Sequence, residues 1–178
     1  PMYRLKFMAL PLSQAQRATN PVRVLVVDDS AFMRKSLTTM LEEGKQIHVV
    51  GVARNGEEAI QQVQQLKPDV VTMDVEMPGM TGLQALQQIM SKFPVPVIMV
   101  SSITVEGAQE TLQALEWGAV DFVPKQLDGV VSKIADIQHQ LVSKVLAARY
   151  AGAKLKRMPV TGSVKPGVMP AKALSSQS

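Results

Sequence analysis

Residues 70–79 read VVTMDVEMPG, an apolar run that rises to the carboxylate of Asp74 and then breaks at Pro78 and Gly79. A buried parallel strand has this form. Both of its faces are covered, and its last side chain is delivered to the crevice at the carboxyl edge of the sheet. We therefore predict a central strand that ends at Asp74, with this carboxylate at the lip of a functional crevice.

Three other apolar segments end on polar residues in the same way. The predicted strands and the residues that follow them are 22–27 with Asp28 and Asp29, 97–100 with Ser101 and Ser102, and 119–123 with Lys125. The carboxyl ends of parallel strands meet at one edge of a sheet. We therefore expect carboxylates, a hydroxyl and an ammonium group to lie together at that edge.

Segments of helical periodicity alternate with the strands. The sequence predicts a further strand at 47–53, helices that begin at Ser30, at Asn55-Gly56 and at Thr81-Gly82, a helix that contains Ala108, Leu112 and Leu115, and a long last helix from about Asp128 to Tyr150. Gly44 and Gly118 are predicted to end the first and fourth helices. Five strand–helix repeats predict an α/β fold, a flavodoxin-like (βα)5 doubly wound parallel sheet of order 2-1-3-4-5.

The ends of the chain differ from its middle. Residues 1–20 show no sustained period and are interpreted as an N-terminal extension, and residues 21–150 form the predicted domain. Residues 151–178 alternate Pro, Gly and Ser with Lys and Ala, so we interpret them as an interdomain linker or tail. Such segments bury too little apolar surface to offset their ordering entropy, and we expect both tails to be flexible.

Composition narrows the class of protein. The chain of 178 residues carries a net charge of +4, but the seven basic residues after Ser143 and the three before Pro21 are accompanied by no acid, which leaves about −6 for the middle. An acidic domain argues against nucleic-acid binding. The absence of Cys excludes disulfides and Cys-ligated zinc, and no run approaches the length of a membrane span. We expect a soluble, cytoplasmic protein without membrane insertion.

The predicted edge has a definite chemistry. Carboxylates in one crevice repel each other, and a hard divalent cation such as Mg²⁺ relieves that repulsion. With the cation bound, Asp74 stays ionised and is able to attack a phosphoryl group as a nucleophile. Lys125 can neutralise the charge on the transferred group, and Ser101 can donate a hydrogen bond to it.

Each residue taken alone also has a purely structural interpretation. Asp29 is equally well explained as a cap of the following helix, Ser101-Ser102 as an ordinary turn, and Lys125 as a solvated surface lysine. The combination is more specific than its parts, because four strand ends supply the right groups at once. We therefore prefer the functional interpretation of the set.

The motifs that carry these residues resemble a known family. The segments VLVVDDS at 24–30, MDVEMPGMTG at 73–82 and VPK at 123–125 are similar to the receiver domain of two-component response regulators. The resemblance implies the following roles: Asp74 as phosphoacceptor, Asp28 and Asp29 with Asp74 and the backbone carbonyl of Glu76 as Mg²⁺ ligands, Lys125 as phosphate contact, Ser101 as switch hydroxyl, and Phe122 as switch aromatic. For Phe122 a plain core position is also a fair interpretation, because an aromatic residue in a strand more often belongs to the core.

Three further segments narrow the resemblance. VIMVSSIT at 97–104, EGA at 106–108 and EWGAVDFVPK at 116–125 are similar to the receivers of chemotaxis protein-glutamate methylesterases. In that family a linker joins the receiver to a hydrolase domain. One residue departs from the pattern, since the family usually has proline directly after this lysine, joined by a cis bond, and Gln126 follows here. Whether the Lys125–Gln126 bond is cis or trans stays open at this stage.

The resemblance implies a phosphorylatable switch of a chemotaxis two-component system. Its implied partners are a histidine kinase, an attached C-terminal methylesterase domain and, as a further candidate, chemoreceptors. Two alternatives stand beside it: a stand-alone module that sequesters phosphate or binds a partner, and a flavodoxin-like cofactor binder, which the absence of a Gly-rich phosphate loop disfavours. We expect no esterase activity from this chain itself, because it has no Gly-x-Ser-x-Gly elbow. Of its two histidines, His48 lies in the expected edge strand, and His139 lies well into the last helix, far in sequence from any exposed strand-end serine.

Overall fold

Five parallel strands form one sheet in the computed structural model, which describes residues 20–101, 105–125 and 132–155. The strands are β1 (Val22–Val27), β2 (Ile47–Ala53), β3 (Val70–Asp74), β4 (Val97–Ser101) and β5 (Asp121–Pro124). The helices are α1 (Ala31–Glu42), α2 (Gly56–Leu66), α3 (Gly82–Lys92), α4 (Val105–Glu116) and α5 (Ser132–Leu155). The sheet order is β2-β1-β3-β4-β5, so the predicted fold and topology are confirmed.

Two apolar layers cover the two faces of the sheet. On one face, side chains such as Leu25 and Met73 pack against α2, α3 and α4. On the other face, Val24 and Val70 pack against α1 and α5. The alternation along β1 and β3 sends successive side chains to opposite layers, which explains why these strands are continuous apolar runs.

Helix starts follow the predicted capping residues. Ser30, Asn55 and Thr81 each accept a hydrogen bond from the backbone N–H three residues later, which satisfies a donor that has no partner inside the helix. At Thr81 the side chain of Gln84 also accepts from the Thr81 N–H, forming a capping box. The start of α1 and of α3 is therefore specified locally, next to the strand ends of β1 and β3.

Helix and strand ends were predicted less well. Gly44 does not take the left-handed conformation that ends many helices; α1 ends at Glu42, and the positive φ, 57°, falls on Lys45. Gly118 after α4 does have a positive φ, 102°, as predicted. The fifth strand begins at Asp121 instead of residue 119. The Ala119 N–H still donates to the carbonyl of Ala114 on α4, although the Val120 N–H already donates to the carbonyl of Val97 on β4.

The last helix continues beyond its predicted end. It extends through Leu155, past the predicted end at Tyr150, since residues 151–155 include good helix formers and Gly152 is tolerated. Residues 1–19 and 156–178 lie outside the described residues, as do Asp128 and the Lys125–Gln126 bond. The expected flexibility of the tails stays a prediction, and the cis or trans state of that bond, which the sequence left open, stays open.

Candidate functional site

The carboxyl edge of the sheet brings four strand ends together. Asp74 is the last residue of β3 and pairs with Val100 of β4, and Ser101 ends β4 opposite Pro124 of β5. Lys125 follows β5, and its backbone N–H donates to the carbonyl of Ser101 at 2.8 Å. The predicted convergence of Asp74, Ser101 and Lys125 at one edge is therefore what the structure shows, while Ser102 lies outside the described residues.

Three carboxylates form a cluster at this edge. Ligand-type oxygen atoms of Asp28, Asp29 and Asp74 all lie within 4.8 Å of one another. Asp28 is fully buried and Asp74 is 3% exposed, whereas Asp29 lies on the surface. Two carboxylates of the cluster are thus buried and one faces solvent, so an ion from solution could reach the cluster.

Lys125 is inserted between the two buried carboxylates. Its Nζ lies 2.8 Å from Oδ2 of Asp28 and 2.6 Å from Oδ2 of Asp74, and its side chain is only 14% exposed. One ammonium group therefore faces three carboxylates, and the site carries a net negative charge. Its hard oxygen donors match those that divalent cations such as Mg²⁺ bind.

The pKa values of this pair reflect their burial. Burial raises the pKa of Asp74 to about 6, although the hydrogen bond and charge of Lys125 act in the opposite direction. The negative charge of Asp28 adds to the increase. For Lys125, burial acts to lower the pKa, but its hydrogen bonds to Asp28 and Asp74 outweigh that effect, and the pKa is raised. Lys125 is therefore charged, and Asp74 ionises with more difficulty than an exposed carboxyl group.

The loop after β3 depends on a close approach that only glycine permits. The Gly82 N–H donates to the carbonyl of Val75 at 2.9 Å, and a Cβ added at Gly82 would lie 1.8 Å from the backbone oxygen of Asp74. The Glu76 N–H in turn donates to Oδ1 of Asp74 at 3.2 Å. Sequence reasoning placed Gly82 only at a helix start; its contact with the Asp74 backbone was missed.

The loop after β1 is fixed by hydrogen bonds to its backbone and side chains. The Ser30 N–H donates to Oδ1 of Asp28 at 2.9 Å, and Nη1 of Arg34 lies 2.7 Å from the carbonyl oxygen of Asp28 and 2.9 Å from that of Asp29. Arg34 was not predicted as a site residue. A signal was present, because a cation near the N-terminus of a helix opposes the helix dipole and calls for an explanation.

The predicted switch residues, Ser101 and Phe122, lie on β4 and β5. Ser101 is buried, with 6% of its surface exposed, and Phe122 is half-buried against the layer formed with α2, α3 and α4. Nζ of Lys144 on α5 lies 5.4 Å from the centre of the Phe122 ring and 3.0 Å from the Phe122 carbonyl oxygen. Lys144 also pairs with Asp121 at 2.7 Å. Phe122 is thus in contact with both the core and α5.

A cleft of about 550 Å³ opens over the cluster. Its lining residues are Asp29, Asp74, Val75, Glu76, Met77, Pro78, Thr81, Leu83, Glu110 and Lys125. The lining includes the predicted nucleophile, the predicted phosphate contact and the loop that carries Glu76. A phosphate-sized group can therefore reach Asp74 from solution.

The two histidines lie elsewhere. His48 is on β2, the edge strand, where its Nδ1 is 3.1 Å from Oε1 of Glu42. His139 is exposed on α5.

In the part of the chain that the structure describes, no helix combines the length and the apolar character needed to cross a membrane.

Comparison with known proteins identifies one family. Residues 24–134 match the model of the response regulator receiver domain. A protein-glutamate methylesterase/protein-glutamine glutaminase from Oleidesulfovibrio alaskensis is 51% identical over 151 residues, which are 83% of this chain and 41% of that protein. A second such protein, from Nitratidesulfovibrio vulgaris, is 58% identical over 124 residues, 70% of this chain and 34% of that protein. The chain therefore spans about two fifths of these relatives or less.

Solved structures show the same likeness. The response regulator domain of Thermotoga maritima CheB is 46% identical, with a TM-score of 0.67, over 74% of this chain and 98% of that one. A chain in the CheX–CheY–BeF3–Mg²⁺ complex from Borrelia burgdorferi is 34% identical, with a TM-score of 0.60, over 71% of this chain and 90% of that one. Sequence and fold agree on the same class of domain.

Proposed function

Because the chain belongs to the response regulator receiver family, we propose that it is a switch that accepts a phosphoryl group on Asp74 from a histidine kinase. The observation that carries the proposal is the position of Lys125, whose ammonium group contacts the carboxylates of both Asp28 and Asp74 beneath an open cleft. A nucleophile, a cation for the transferred oxygens and an acidic cluster are thus within contact distance of one another.

The proposed reaction is a transfer between two side chains. A carboxylate oxygen of Asp74 attacks the phosphorus atom of a phosphohistidine on the kinase, the new O–P bond forms, and the P–N bond breaks. The leaving ring nitrogen keeps the electron pair of the P–N bond and takes up a proton, so that the kinase histidine is released as neutral imidazole. Lys125 is held near the Asp74 oxygen already, so it is placed to pair with the phosphoryl oxygens without a large rearrangement.

The acidic cluster fits Mg²⁺ by its donor set. We propose Asp28, Asp29, Asp74 and the backbone carbonyl of Glu76 as the groups that hold the ion. When bound, it would supply positive charge to offset the carboxylates and the phosphoryl oxygens. A relative that is 34% identical was solved in a complex that contains Mg²⁺, which supports this choice of ion.

Ser101 and Phe122 are the proposed relay from the phosphoryl group to the rest of the domain. The Ser101 hydroxyl lies at the end of β4, next in the sheet to the Asp74 strand, and is proposed to donate to a phosphoryl oxygen. Phe122 on β5 is proposed to change its packing in response, which would alter the contact with Lys144 on α5. The β5–α5 surface is thus the proposed output of the switch.

The relatives suggest what the switch controls. Two of them carry the name protein-glutamate methylesterase/protein-glutamine glutaminase and are more than twice as long as the matched segment. We propose that the receiver regulates an attached methylesterase domain, with chemoreceptors as its substrates. We propose that the described part of this chain does not hydrolyse esters, because His48 lies on the edge strand β2 and pairs with Glu42 of α1.

Phosphotransfer from a kinase tests the proposal. A chemotaxis-type histidine kinase is labelled with radioactive phosphate, freed of nucleotide and mixed with the chain in Mg²⁺. The label is expected to move to the wild type and to Asp136→Asn, an exposed carboxyl group on α5 that serves as control, but not to Asp74→Asn. Equal labelling of Asp74→Asn and the wild type would refute Asp74 as the acceptor.

A further inference from the structure

Arg34 makes a pair of contacts that the proposed reaction does not use. A single nitrogen, Nη1, lies 2.7 Å from the carbonyl oxygen of Asp28 and 2.9 Å from that of Asp29. These carbonyl groups belong to the two peptide units on either side of Asp29. The half-buried guanidinium group therefore holds the backbone on both sides of one cluster residue.

The three carboxylates of the cluster are held in different ways. The Asp28 carboxylate accepts from the Ser30 N–H and contacts Lys125, and the Asp74 carboxylate accepts from the Glu76 N–H and contacts Lys125. Among the described residues, no hydrogen bond or ion pair reaches the carboxylate of Asp29. Its position depends on its backbone. Arg34 contacts the carbonyl groups on both sides of Asp29, and the Ser30 N–H, which donates to Asp28, supports the same turn.

We propose that Arg34 is a positioning residue of the cation site, which keeps Asp29 where it can bind a divalent cation. The inference rests on the proposed function, since it assumes that the cluster holds Mg²⁺. Hydrogen bonds from a charged donor are stronger than neutral ones, and outer groups of this kind orient the ligands that touch a metal. Loss of Arg34 would free the Asp28–Asp29 peptide units, and part of the binding free energy would then be spent on ordering the loop.

The sign of the effect separates positioning from simple electrostatics. A positive charge beside a cation site repels the cation, so removing Arg34 would tighten Mg²⁺ binding if charge were its only influence. Positioning predicts the opposite, weaker binding. The same substitution therefore moves the dissociation constant in opposite directions under the two explanations.

The test is a calorimetric titration of MgCl2 into the full 178-residue chain. Arg34→Met is expected to weaken Mg²⁺ binding about 10-fold, a size typical for the loss of an outer orienting group. Arg34→Lys keeps the charge but not the planar donor group. Its dissociation constant for Mg²⁺ is expected to lie between those of the wild type and Arg34→Met. The matched control is Lys35→Met, which removes the same charge from the exposed neighbouring position and is expected to leave the dissociation constant unchanged.

A second measurement follows phosphorylation of the chain by acetyl phosphate at increasing Mg²⁺. Arg34→Met is expected to need about 10-fold more Mg²⁺ for half of the maximal rate, with a nearly unchanged rate at saturation. Urea unfolding of each variant shows whether it is folded; if Arg34→Met is not, Arg34→Lys decides the question on the same scales.

The outcomes separate this inference from the proposed function. If the wild type binds Mg²⁺ and the folded Arg34 variants bind it equally well or more tightly, the positioning role is refuted while the proposed function stands. If the wild type does not bind Mg²⁺, the metal part of the proposed function fails, and the role of Arg34 fails with it.

Discussion

Lys125 and Asp74 are joined by a contact of 2.6 Å between Nζ and Oδ2, although they belong to strand ends that are separated in the sheet by β4. The same ammonium group also contacts Asp28 at 2.8 Å. Lys125 therefore offsets part of the repulsion between buried carboxylates and lies beside the proposed nucleophile.

The first prediction concerns stability without metal. Burial raises the pKa of Asp74 from 3.8 to about 6, so the folded state binds a proton that the unfolded state has released between about pH 4 and pH 6. The free energy of unfolding of the wild type should therefore decrease as the pH rises through this range. At pH 7, Asp74→Asn is expected to be more stable on the order of 2 kcal/mol, and the gain should shrink toward pH 4.

Urea unfolding in a chelating buffer from pH 4 to pH 7.5 checks this expectation. The control is Asp136→Asn, which removes an exposed carboxyl group on α5. An Asp74→Asn variant that is less stable than the wild type at pH 7 would show that ionised Asp74 does not destabilise the metal-free fold.

The second prediction concerns Lys125. Lys125→Met is expected to slow phosphorylation by acetyl phosphate roughly 100-fold at saturating Mg²⁺, because a positive group near the transferred oxygens is lost. Lys92→Met removes the same group from an exposed helix position and should leave the rate unchanged. Quenched-flow mass spectrometry measures both rates. A Lys125→Met rate within about twofold of the wild type would show that this ammonium group serves only the fold.

The third prediction concerns the backbone beneath the nucleophile. Gly82→Ala would place a Cβ 1.8 Å from the Asp74 carbonyl oxygen, so α3 and the loop must move apart. We expect a loss of about 3 kcal/mol or more in the free energy of unfolding, with impaired phosphorylation. Gly44→Ala is the control, since nothing lies within 4 Å of its Cβ and its φ is not positive, and its effect should stay within about 0.5 kcal/mol. Similar stabilities for the two variants would disprove the steric argument.

The fourth prediction separates acceptance of the phosphoryl group from its transmission. Ser101→Ala is expected to be phosphorylated to the same extent as the wild type but to show smaller changes at Phe122. The transmission is measured by the amide chemical shifts of Phe122 and Lys144 and the ring chemical shifts of Phe122, recorded before and after phosphorylation. Ser143→Ala removes a hydroxyl from an exposed position on α5 and should behave as the wild type. Loss of phosphorylation in Ser101→Ala would assign this hydroxyl to the chemistry instead.

The sequence was sufficient to predict which polar residues follow the strands and at which edge of the sheet they meet. Apolar runs that stop at Asp28, Asp74 and Lys125 are most simply interpreted as buried parallel strands, and right-handed crossovers leave few ways to connect such strands. The caps at Ser30 and Thr81 were equally predictable, because each depends only on residues within one turn.

Contacts that depend on distant backbone geometry were not predictable. The close approach of Gly82 to the Asp74 carbonyl requires the loop path, and the contact of Arg34 with two carbonyl groups requires the angle between β1 and α1. The left-handed residue after α1 fell on Lys45 instead of Gly44, because the connection to β2 and not the local propensity decides which residue turns. Local rules predict which groups arrive at the edge, while tertiary packing decides how each is held.

The most direct test of the central claim is the intact mass of the chain after treatment with acetyl phosphate, with Mg²⁺ and with chelator. We predict the mass of one added phosphoryl group in the wild type only when Mg²⁺ is present, and none in Asp74→Asn under either condition. The acyl phosphate should also be removed by hydroxylamine. A phosphoryl group that appears equally without Mg²⁺, or that appears on Asp74→Asn, would contradict the account.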